Sequence, residues 1–501
     1  MKKINDDLAI ISKDDDVAIA LKNLKKGYRI QYNNMNIELL DDIPFGHKVA
    51  LKNIQKNKNI TKYDYEIGKA VEDIKAGSHV HTHNVDTNLD DLLEYSYQEN
   101  HYLLTEDHDL EKTTFKGYLR EDGKAGTRND IWIVPTVGCV NSTAKRLEKM
   151  AKKEWGDKFD DILAITHNAG CSQLGYDHKT TQKILKGIIN HPNAGGVLVI
   201  SLGCENNNLE EFKPVLGDIN ENRIKFLTTQ NTEDEYKEGL KLIEELVEYA
   251  ERFKREDIST SKLVIGFKCG GSDAFSGITA NPLCGKINDK LVLNGGSTLL
   301  TEVPEMFGAE TILMKRAKNK ETFNKIVKLI NDYKLYFKKY NQVIYENPAP
   351  GNKKGGITTL EEKSLGCIQK GGTAPVMGVL GYGDQISNSG LNLLTGSGND
   401  PVSCTNLLAS GAAVILFTTG RGNPFGAPVP TIKISSNSEL YNKKPHWIDY
   451  NAGEILEKNN IDNVVDELWG LLLDVISGKK KTNNEIHGYK DISIFRDGVI
   501  L

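Results

Sequence analysis

A chain of 501 residues is too long for one hydrophobic core, and its length predicts roughly two to four domains. With 63 basic against 68 acidic residues the net charge is −5, and no long basic tract provides a footprint for nucleic-acid binding. No apolar run approaches the roughly 18 residues of a membrane span, and the first residues, MKKINDDLAIISKDDD, become acidic where a signal peptide needs an apolar core. The sequence therefore predicts a cytoplasmic protein with no nucleic-acid or membrane partner. Its 7 cysteines, in such a chain, argue against a disulfide framework.

Residues 1–95 are predicted to form a small β-rich unit. Turns separate its short β-prone segments, which are Val17–Ala20, Tyr28–Gln31, Lys48–Leu51 and Glu66–Ala70. The unit ends in HVHTHN. Residues two apart in a strand share a face, so we expect His79, His81 and His83 to project together. Three such imidazoles suit iron, manganese or zinc, or contact with an acidic substrate; solvated histidines on a strand edge are the alternative.

A polar, acidic linker is predicted at residues 96–115. The next segment, Gly117–Asn129, places Arg120, Lys124 and Arg128 among glycines. Such a loop suits a substrate carboxylate, and a solvated turn is the alternative.

Apolar strands then alternate with helical patterns, which predicts βαβ units and parallel sheets. The helical patterns are Ser142–Trp155, Tyr176–Asn190, and Glu233–Glu256, the last with Thr232 and Glu235 as a capping box. A long amphipathic helix is predicted to end near Lys339, and a further helix at Val464–Ser477. We divide this part of the chain into an α/β domain at 116–260 and a C-terminal α/β domain at 261–501. The predicted fold class is thus a multidomain α/β protein with a small β-rich N-terminal domain.

Four of the strands lead to a cysteine, namely Cys139, Cys171, Cys204 and Cys269. Ligands bind beyond the carboxyl ends of parallel strands, so we expect these thiols to gather at one sheet edge, together with His167 and Glu205. They could hold iron or an iron–sulfur cluster, whereas simple packing of small, soft side chains is the alternative. No C-x-x-C pair is present, which excludes a zinc-ribbon or ferredoxin pattern as a sequence signal.

The segment Phe267–Gly285, FKCGGSDAFSGITANPLCG, combines glycines with small polar side chains. Glycines allow close approach of the backbone to a ligand, and hydroxyl and amide groups can bind a polyhydroxylated or carboxylate substrate. We therefore expect a binding loop carrying Ser272, Asp273, Thr279 and Asn281, with a Gly-rich connector as the alternative.

Seven motifs in order resemble the altronate/galactarate dehydratase family: GYLREDGKAGTRN, HNAGC, LGCE, CGGSDAFSGITANPLCG, EVPEMFGAE, NPAPGNKKGGITTLEEKSLG and TGSGND. The resemblance runs from about Asp41 to the C-terminus, and HVHTHN looks like the close of an SAF-type (β-clip) domain. It implies a hydro-lyase acting on a hexonate or hexarate and activated by Fe(II), or sometimes Mn(II). It implies conversion of D-altronate to 2-dehydro-3-deoxy-D-gluconate and water, with galactarate or another aldonate or hexarate as the alternative.

Dehydrating a 2,3-dihydroxy acid requires removal of the C2 proton and loss of the C3 hydroxyl, and a metal can stabilise the charge that develops. We predict the metal ligands to be His79, His81 and His83, and the acid–base groups to be His167 and Glu205. Substrate hydroxyls are assigned to Ser272, Asp273, Thr279 and Asn281, and the carboxylate to Arg120 and Arg128. The rival metal hypothesis, iron or an iron–sulfur cluster, uses Cys139, Cys171, Cys204 and Cys269.

Two other function classes compete. One is a non-catalytic protein that binds sugar acids. The other is a nicotinamide oxidoreductase, which is disfavoured because no G-x-G-x-x-G follows the first strand of the alternation. The sequence leaves a homo-oligomer open.

Overall fold

The structure is a computed structural model that describes residues 2–5, 7–33, 35–89, 92–99, 113–458 and 461–500. Most of the predicted linker, residues 100–112, lies outside the described residues. No helix in the described part of the chain is long and apolar enough to cross a membrane.

The N-terminal unit consists of short strands without helices among its described residues. They are β1 (Lys2–Asn5), β2 (Leu8–Ile10), β3 (Val17–Ala20), β4 (Arg29–Tyr32), β5 (Met35–Glu38), β6 (Lys48–Ala50), β7 (Asn59–Lys62), β8 (Tyr65–Ala70), β9 (His79–Val80) and β10 (Val85–Asp86). An antiparallel sheet has the order β1-β2-β3-β6-β9, a second has the order β10-β8-β7, and β4 pairs with β5. The four predicted β-prone segments correspond to β3, β4, β6 and β8. The expected histidine strand is shorter than predicted, because the chain turns at His81.

The second unit is built on a four-stranded parallel sheet with the order β14-β13-β15-β16. Its strands are β11 (Thr114–Leu119), β12 (Ala125–Gly126), β13 (Asp130–Pro135), β14 (Ile162–Ala164), β15 (Ala194–Ser201), β16 (Ile224–Thr228) and β17 (Glu256–Ser259). Its helices are α1 (Asn141–Trp155), α2 (Gly175–Ile189), α3 (Leu209–Leu216) and α4 (Glu235–Ala250). Strands β13 and β15 are buried along their whole length, as expected for parallel strands covered on both faces.

Two local predictions in this unit are wrong. The segment Gly117–Asn129 is not an open loop, because β11 pairs antiparallel with both β12 and β17 and buries the arginines beneath it. The N-cap of α4 is Asp234 rather than Thr232, since the Asp234 side chain accepts hydrogen bonds from the backbone N–H groups of Tyr236 and Lys237.

The third unit contains a seven-stranded, entirely parallel sheet with the order β20-β21-β19-β18-β22-β23-β24. The strands are β18 (Val264–Cys269), β19 (Ser297–Leu300), β20 (Val376–Leu380), β21 (Gly390–Leu394), β22 (Val414–Thr419), β23 (Thr431–Ser435) and β24 (Tyr450–Asn451). The helices are α5 (Ala280–Leu293), α6 (Glu310–Lys315), α7 (Lys320–Lys339), α8 (Pro350–Lys354), α9 (Leu360–Cys367), α10 (Asp400–Ala409), α11 (Ser438–Lys443), α12 (Glu454–Lys458), α13 (Ile461–Ile476) and α14 (Asn483–His487). A β-rich N-terminal unit followed by parallel α/β units confirms the predicted fold class.

The strand order of the large sheet identifies where a ligand would bind. After β18 the chain adds β19, β20 and β21 on one side of it, and then β22, β23 and β24 on the other side. The strand order therefore reverses between β18 and β22. Crevices at such a reversal, beyond the carboxyl ends of the strands, are the usual binding sites of open α/β sheets. The loops that follow β18 and β22 therefore frame the candidate site.

The N-terminal unit packs directly over this edge. The ring of Phe45 lies 4.5 Å from that of Phe275, measured between centroids, and Ile19 shares a small hydrophobic cluster with Phe275 and Ile278. Tyr63 requires the glycine at 277, because a Cβ there would lie 2.5 Å from the Tyr63 Oη atom. The two units thus enclose the Gly-rich loop between them.

Candidate active site

A cluster of histidines lies where the N-terminal unit contacts the third unit. Nδ1 of His47 lies 3.0 Å from Nε2 of His79, and the His81 ring centroid lies 4.8 Å from that of His47. The turn after β9 keeps His83 beside His79, with ring centroids 5.3 Å apart, but the His83 side chain is exposed. The structure therefore brings the three predicted histidines together by a turn rather than along a strand, and it adds His47.

Burial keeps the inner imidazoles neutral. It lowers the pKa of His79 to about 4 and that of His81 to about 3, and it also lowers the pKa of His47. His47 Nε2 lies 3.3 Å from the Lys354 carbonyl, which can only accept, so this nitrogen carries the proton. His47 Nδ1 is then an acceptor that lies 3.0 Å from Nε2 of His79. Neutral imidazoles are the form that accepts protons and binds metals.

The crevice at the strand-order reversal holds a cavity of about 190 Å³. Its lining comes from the Gly-rich loop, the loop after β22, the start of α11 and Phe45 of the N-terminal unit. Three cationic side chains line it, namely Lys354, Arg421 and Lys443, against the one exposed carboxylate of Glu439. The cavity meets the histidine cluster at Lys354, which lines the cavity and whose carbonyl oxygen contacts His47. This arrangement suits a small anion with further polar groups.

A buried ion pair fixes the N-terminal unit above this site. Glu362 of α9 accepts hydrogen bonds from Lys48 at 2.8 Å and from Lys62 at 2.6 Å, both of the N-terminal unit. The same carboxylate accepts the backbone N–H of Thr358, and the Thr358 hydroxyl lies 3.0 Å from His81 Nδ1. Docking of the two units is thus linked to the position of His81.

The predicted hydroxyl-binding residues are close to this interface, but most of their polar atoms are already bonded within the protein. Asp273 accepts hydrogen bonds from Ser276, Ser436 and Asn437, and burial raises its pKa. The Thr279 hydroxyl donates to the Ser436 carbonyl, and the Asn281 amide donates to the Gly366 carbonyl. Ser272, Asp273 and Asn281 border a small cavity of about 10 Å³ that Lys62 and Tyr63 also line, with room for about one water molecule.

Beneath the Gly-rich loop lies a cluster of ionisable side chains that the sequence did not predict as a group. Its members are Lys268, Cys269, Glu302, Glu305, Lys363, Cys367, Lys370 and Asp400, and all but Asp400 are buried. Lys268 pairs with Glu302 and lies 2.9 Å from Asp400, while Lys363 lies 2.8 Å from Glu305. Buried charges are costly unless paired, and such groupings cluster at functional sites.

The arginines predicted to bind the carboxylate are instead part of the framework of the second unit. Arg120 donates to the carbonyl groups of Pro192 and Arg128 and to the side chain of Asn129. Arg128 forms a two-point ion pair with Glu485, at 2.7 and 3.0 Å. The structure does not bring either guanidinium to the histidine cluster or to the cavity beside it.

We expect Arg128→Met to act on stability rather than on substrate binding. Removing one partner of a buried ion pair costs about 3–5 kcal/mol, because Glu485 is left unpaired. Thermal unfolding should show this loss, while the KM of the remaining folded enzyme stays within about twofold of wild type, since no substrate contact is lost. The matched variant Glu485→Gln should destabilise similarly; a large rise in KM for Arg128→Met alone would contradict this interpretation.

The two predicted acid–base residues lie at the carboxyl edge of the smaller sheet. His167 Nε2 donates to the Pro135 carbonyl at 2.8 Å, and its Nδ1 accepts the Ala169 N–H group at 3.1 Å. Glu205 accepts from the hydroxyls of Thr136 and Ser201. Burial raises the pKa of Glu205, but these hydrogen bonds outweigh it and the net pKa is lowered. Both side chains form hydrogen bonds that stabilise the loops at this edge of the sheet. Their acid–base role stays a prediction.

The four predicted cysteines do not gather at one edge. Cys139, Cys171 and Cys204 follow strands of the smaller sheet and are exposed, whereas Cys269 ends β18 in the larger sheet and is buried. The reason is that β17 pairs with β11, and β18 then begins a separate sheet. Among the described residues, the group of potential ligand atoms that lies within 4.8 Å is Cys269, Glu305 and Cys367.

A cavity between domains that is lined by several charged side chains and lies beside a histidine cluster is typical of an enzyme active site for a small molecule. Comparison with known proteins agrees with this class. The altronate/galactarate dehydratase SAF domain matches residues 7–88, the second domain of D-galactarate dehydratase/altronate hydrolase matches 117–251, and the C-terminal domain of D-galactarate/altronate dehydratase matches 260–500.

Curated relatives match over almost the whole chain. The altronate dehydratase of Bacillus subtilis (strain 168) is 52% identical over 98% of this chain and 99% of its own length. The altronate dehydratase of Escherichia coli (strain K12) is 46% identical over 97% of this chain and 98% of its own length. The galactarate dehydratase (L-threo-forming) of the same strain is 34% identical over 96% of this chain and 95% of its own length. The chain belongs to the altronate/galactarate dehydratase family.

Proposed function

We propose that this protein is a hydro-lyase that dehydrates D-altronate to 2-dehydro-3-deoxy-D-gluconate and water. The observation that carries the proposal is the junction at Lys354, where a cavity lined by cations meets a cluster of neutral imidazoles. The 52% and 46% identity to two altronate dehydratases, against 34% to a galactarate dehydratase, favours the aldonate over the hexarate.

Substrate binding follows from the charges that line the cavity. Arg421 stands in the loop after β22, and its guanidinium matches a carboxylate in shape and charge. Lys354 and Lys443 add positive charge, whereas Glu439 offers a partner for a hydroxyl group. We assign carboxylate binding to Arg421 in place of Arg120 and Arg128.

The chemical steps need a base for the C2 proton and an acid for the departing C3 hydroxyl. We assign the base to His81, because its ring lies beside that of His47 and burial keeps it neutral. We assign the acid to Lys354, which lines the same cavity. Packing of the N-terminal unit over the loop excludes water from the buried side of the site.

The histidine pair fits a divalent metal. Two nitrogens bound side by side to a metal at about 2.1 Å are about 3 Å apart, and His47 Nδ1 and His79 Nε2 are 3.0 Å apart. We propose these two residues as ligands for Fe(II) or Mn(II), with His79 then carrying its proton on Nδ1. When bound, the metal would stabilise the negative charge that forms on the substrate after loss of the C2 proton.

A substrate panel tests the proposed function. The purified protein, supplied anaerobically with Fe(II), is given altronate, galactarate, glucarate, mannonate and sulfolactate, and the 2-keto-3-deoxy product is measured. We expect altronate to give the highest kcat/KM. Binding of aldonates without product would identify a binding protein instead, and preference for galactarate would replace the substrate but not the reaction.

Replacing Arg421 with alanine should raise KM for altronate by about 10- to 100-fold, because a hydrogen bond to a charged group contributes roughly 1.5–3 kcal/mol. Steady-state kinetics on the folded variant measure this change, with Arg252→Ala, at an exposed arginine just beyond the end of α4, as the control. An unchanged KM would remove Arg421 from the site.

A further inference from the structure

Two buried thiols lie next to each other in the ionisable cluster. Cys269 at the end of β18 and Cys367 at the end of α9 are 98 positions apart in the sequence, yet their Sγ atoms lie 3.4 Å apart. A disulfide has an S–S bond of about 2.05 Å, so each sulfur would need to move by only roughly 0.7 Å. Among the described residues, no other two thiols are in hydrogen-bond contact.

The surroundings of this pair favour reaction at Cys269. The Lys370 ammonium group donates to the Cys269 sulfur at 2.9 Å, and the Cys367 sulfur lies 3.4 Å from that of Cys269 and 3.0 Å from a Glu305 oxygen. The hydrogen bond from Cys367, and then the charges of Lys370 and Lys268, lower the pKa of Cys269, although burial and the Glu305 carboxylate oppose them. A thiolate is the nucleophilic form of cysteine.

The remaining cysteines lack this combination. Burial raises the pKa of Cys284 to about 12 and also raises the pKa of Cys404, so these thiols stay protonated. Cys139, Cys171 and Cys204 are exposed, and none of them contacts a second thiol.

A bound cation is a weaker explanation of the same pair, although Glu305 completes a trio of potential ligands. The ammonium groups of Lys370 and Lys363 already contact Cys269 and Glu305, at 2.9 and 2.8 Å. Positive charges at this distance oppose a metal ion and favour a thiolate.

We propose that Cys269 and Cys367 form an oxidisable dithiol site, which a small peroxide converts reversibly to a disulfide. The Cys269 thiolate attacks one peroxide oxygen, the O–O bond breaks, and Cys269 becomes a sulfenic acid while the other oxygen leaves as hydroxide, which becomes water by taking up the proton that the Cys269 thiol released when it ionised. The Cys367 sulfur then attacks Cys269, the S–O bond breaks, and a second water leaves with the Cys367 proton. Overall the two thiols lose two electrons and two protons, and hydrogen peroxide is reduced to two waters.

Oxidation would alter the adjacent loop. The disulfide leaves Lys370 without its thiolate partner, with only Glu302 at 3.5 Å, removes the contact of the Cys367 thiol with Glu305, and pulls on the end of β18, where the Gly-rich loop begins. If the protein has the proposed activity, that activity should fall on oxidation and return with a dithiol reductant. The dithiol chemistry itself does not depend on that activity.

Peptide mapping of the full-length protein tests the proposal. The reduced protein is treated with equimolar hydrogen peroxide, unfolded in an alkylating agent and digested. We expect a cross-linked peptide pair containing Cys269 and Cys367, lighter than the two free peptides by two hydrogen atoms and absent after dithiothreitol treatment.

Variants give the controls. Cys367→Ala should abolish the cross-link, whereas Cys284→Ala, which removes a neighbouring buried thiol, should leave it unchanged. Full alkylation of both cysteines in the peroxide-treated wild type would overturn the proposal, and so would cross-links through Cys139, Cys171 or Cys204 in their place. The wild-type mapping decides the question even where a variant fails to fold.

Discussion

Replacing His47 with alanine should lower kcat for altronate dehydration by about 10²- to 10³-fold, the range for loss of a group that stabilises developing negative charge. His47 connects the two parts of the site, because one ring nitrogen contacts the Lys354 carbonyl and the other faces His79. Its removal leaves His79 without this partner and, on our proposal, removes one metal ligand. Anaerobic turnover and iron content per chain should therefore fall together.

The control for this variant lies in the same cluster. His83 shares the turn with His81 but has an exposed side chain, so we expect His83→Ala to lower kcat by less than about tenfold. His47→Asn, which keeps a hydrogen-bonding group, separates loss of packing from loss of chemistry. Equal effects of His47→Ala and His83→Ala, or wild-type turnover in His47→Ala, would move the chemistry away from the histidine cluster.

The histidine cluster shows which parts of the site could be predicted from the sequence alone. The spacing of His79, His81 and His83, two residues apart, predicted that their side chains lie together. They do lie together, although a turn rather than an extended strand brings them into contact. His47 could not be found in this way, because it is 32 positions from His79 and reaches it only through pairing of β6 with β9, in which Val49 lies opposite His79. Pairing between strands distant in sequence is not encoded in the local pattern.

The predicted positions of the arginines and cysteines differ from the structure for a related reason. A run of strands with similar spacing looks the same whether one sheet continues or a second begins, so Cys269 could not be assigned to the larger sheet. Arg128 looked free for substrate because its partner, Glu485, lies 357 positions away. The sequence does contain one signal of the buried ionisable cluster. Lys268 is a charged residue within an otherwise apolar buried strand, and such a residue needs a buried partner.

The second large effect is expected on stability, from Glu362→Gln. Lys48 and Lys62 are fully buried and share this carboxylate, so an amide would leave two ammonium groups without a counter-charge. Breaking a buried pair in this way costs about 3–5 kcal/mol. Because the ion pair joins two units, hydrogen exchange should rise first in β6 and β7, alongside a lower thermal midpoint.

The pH dependence of this effect has a definite sign. Burial raises the pKa of Glu362, but Lys48 and Lys62 outweigh it and lower the pKa to about 2. A carboxyl group whose pKa is depressed by folding contributes stability above its unfolded value, about 4.3, and loses that contribution as the pH falls towards the folded value. The difference in unfolding free energy between wild type and Glu362→Gln should therefore shrink between about pH 5 and pH 2.

The neighbouring residue provides the matched control. Glu361 also joins α9 to the N-terminal unit, but its partners are the Thr87 hydroxyl at 2.8 Å and the Asn88 backbone N–H at 2.6 Å rather than ammonium groups. Glu361→Gln should cost about 1–2 kcal/mol, because only hydrogen bonds are weakened. Equal losses in the two variants, or a difference that does not change with pH, would mean that the ion pair does not hold the N-terminal unit in place. A loss specific to Glu362, accompanied by lower turnover, would instead link docking of that unit to the position of His81 through Thr358.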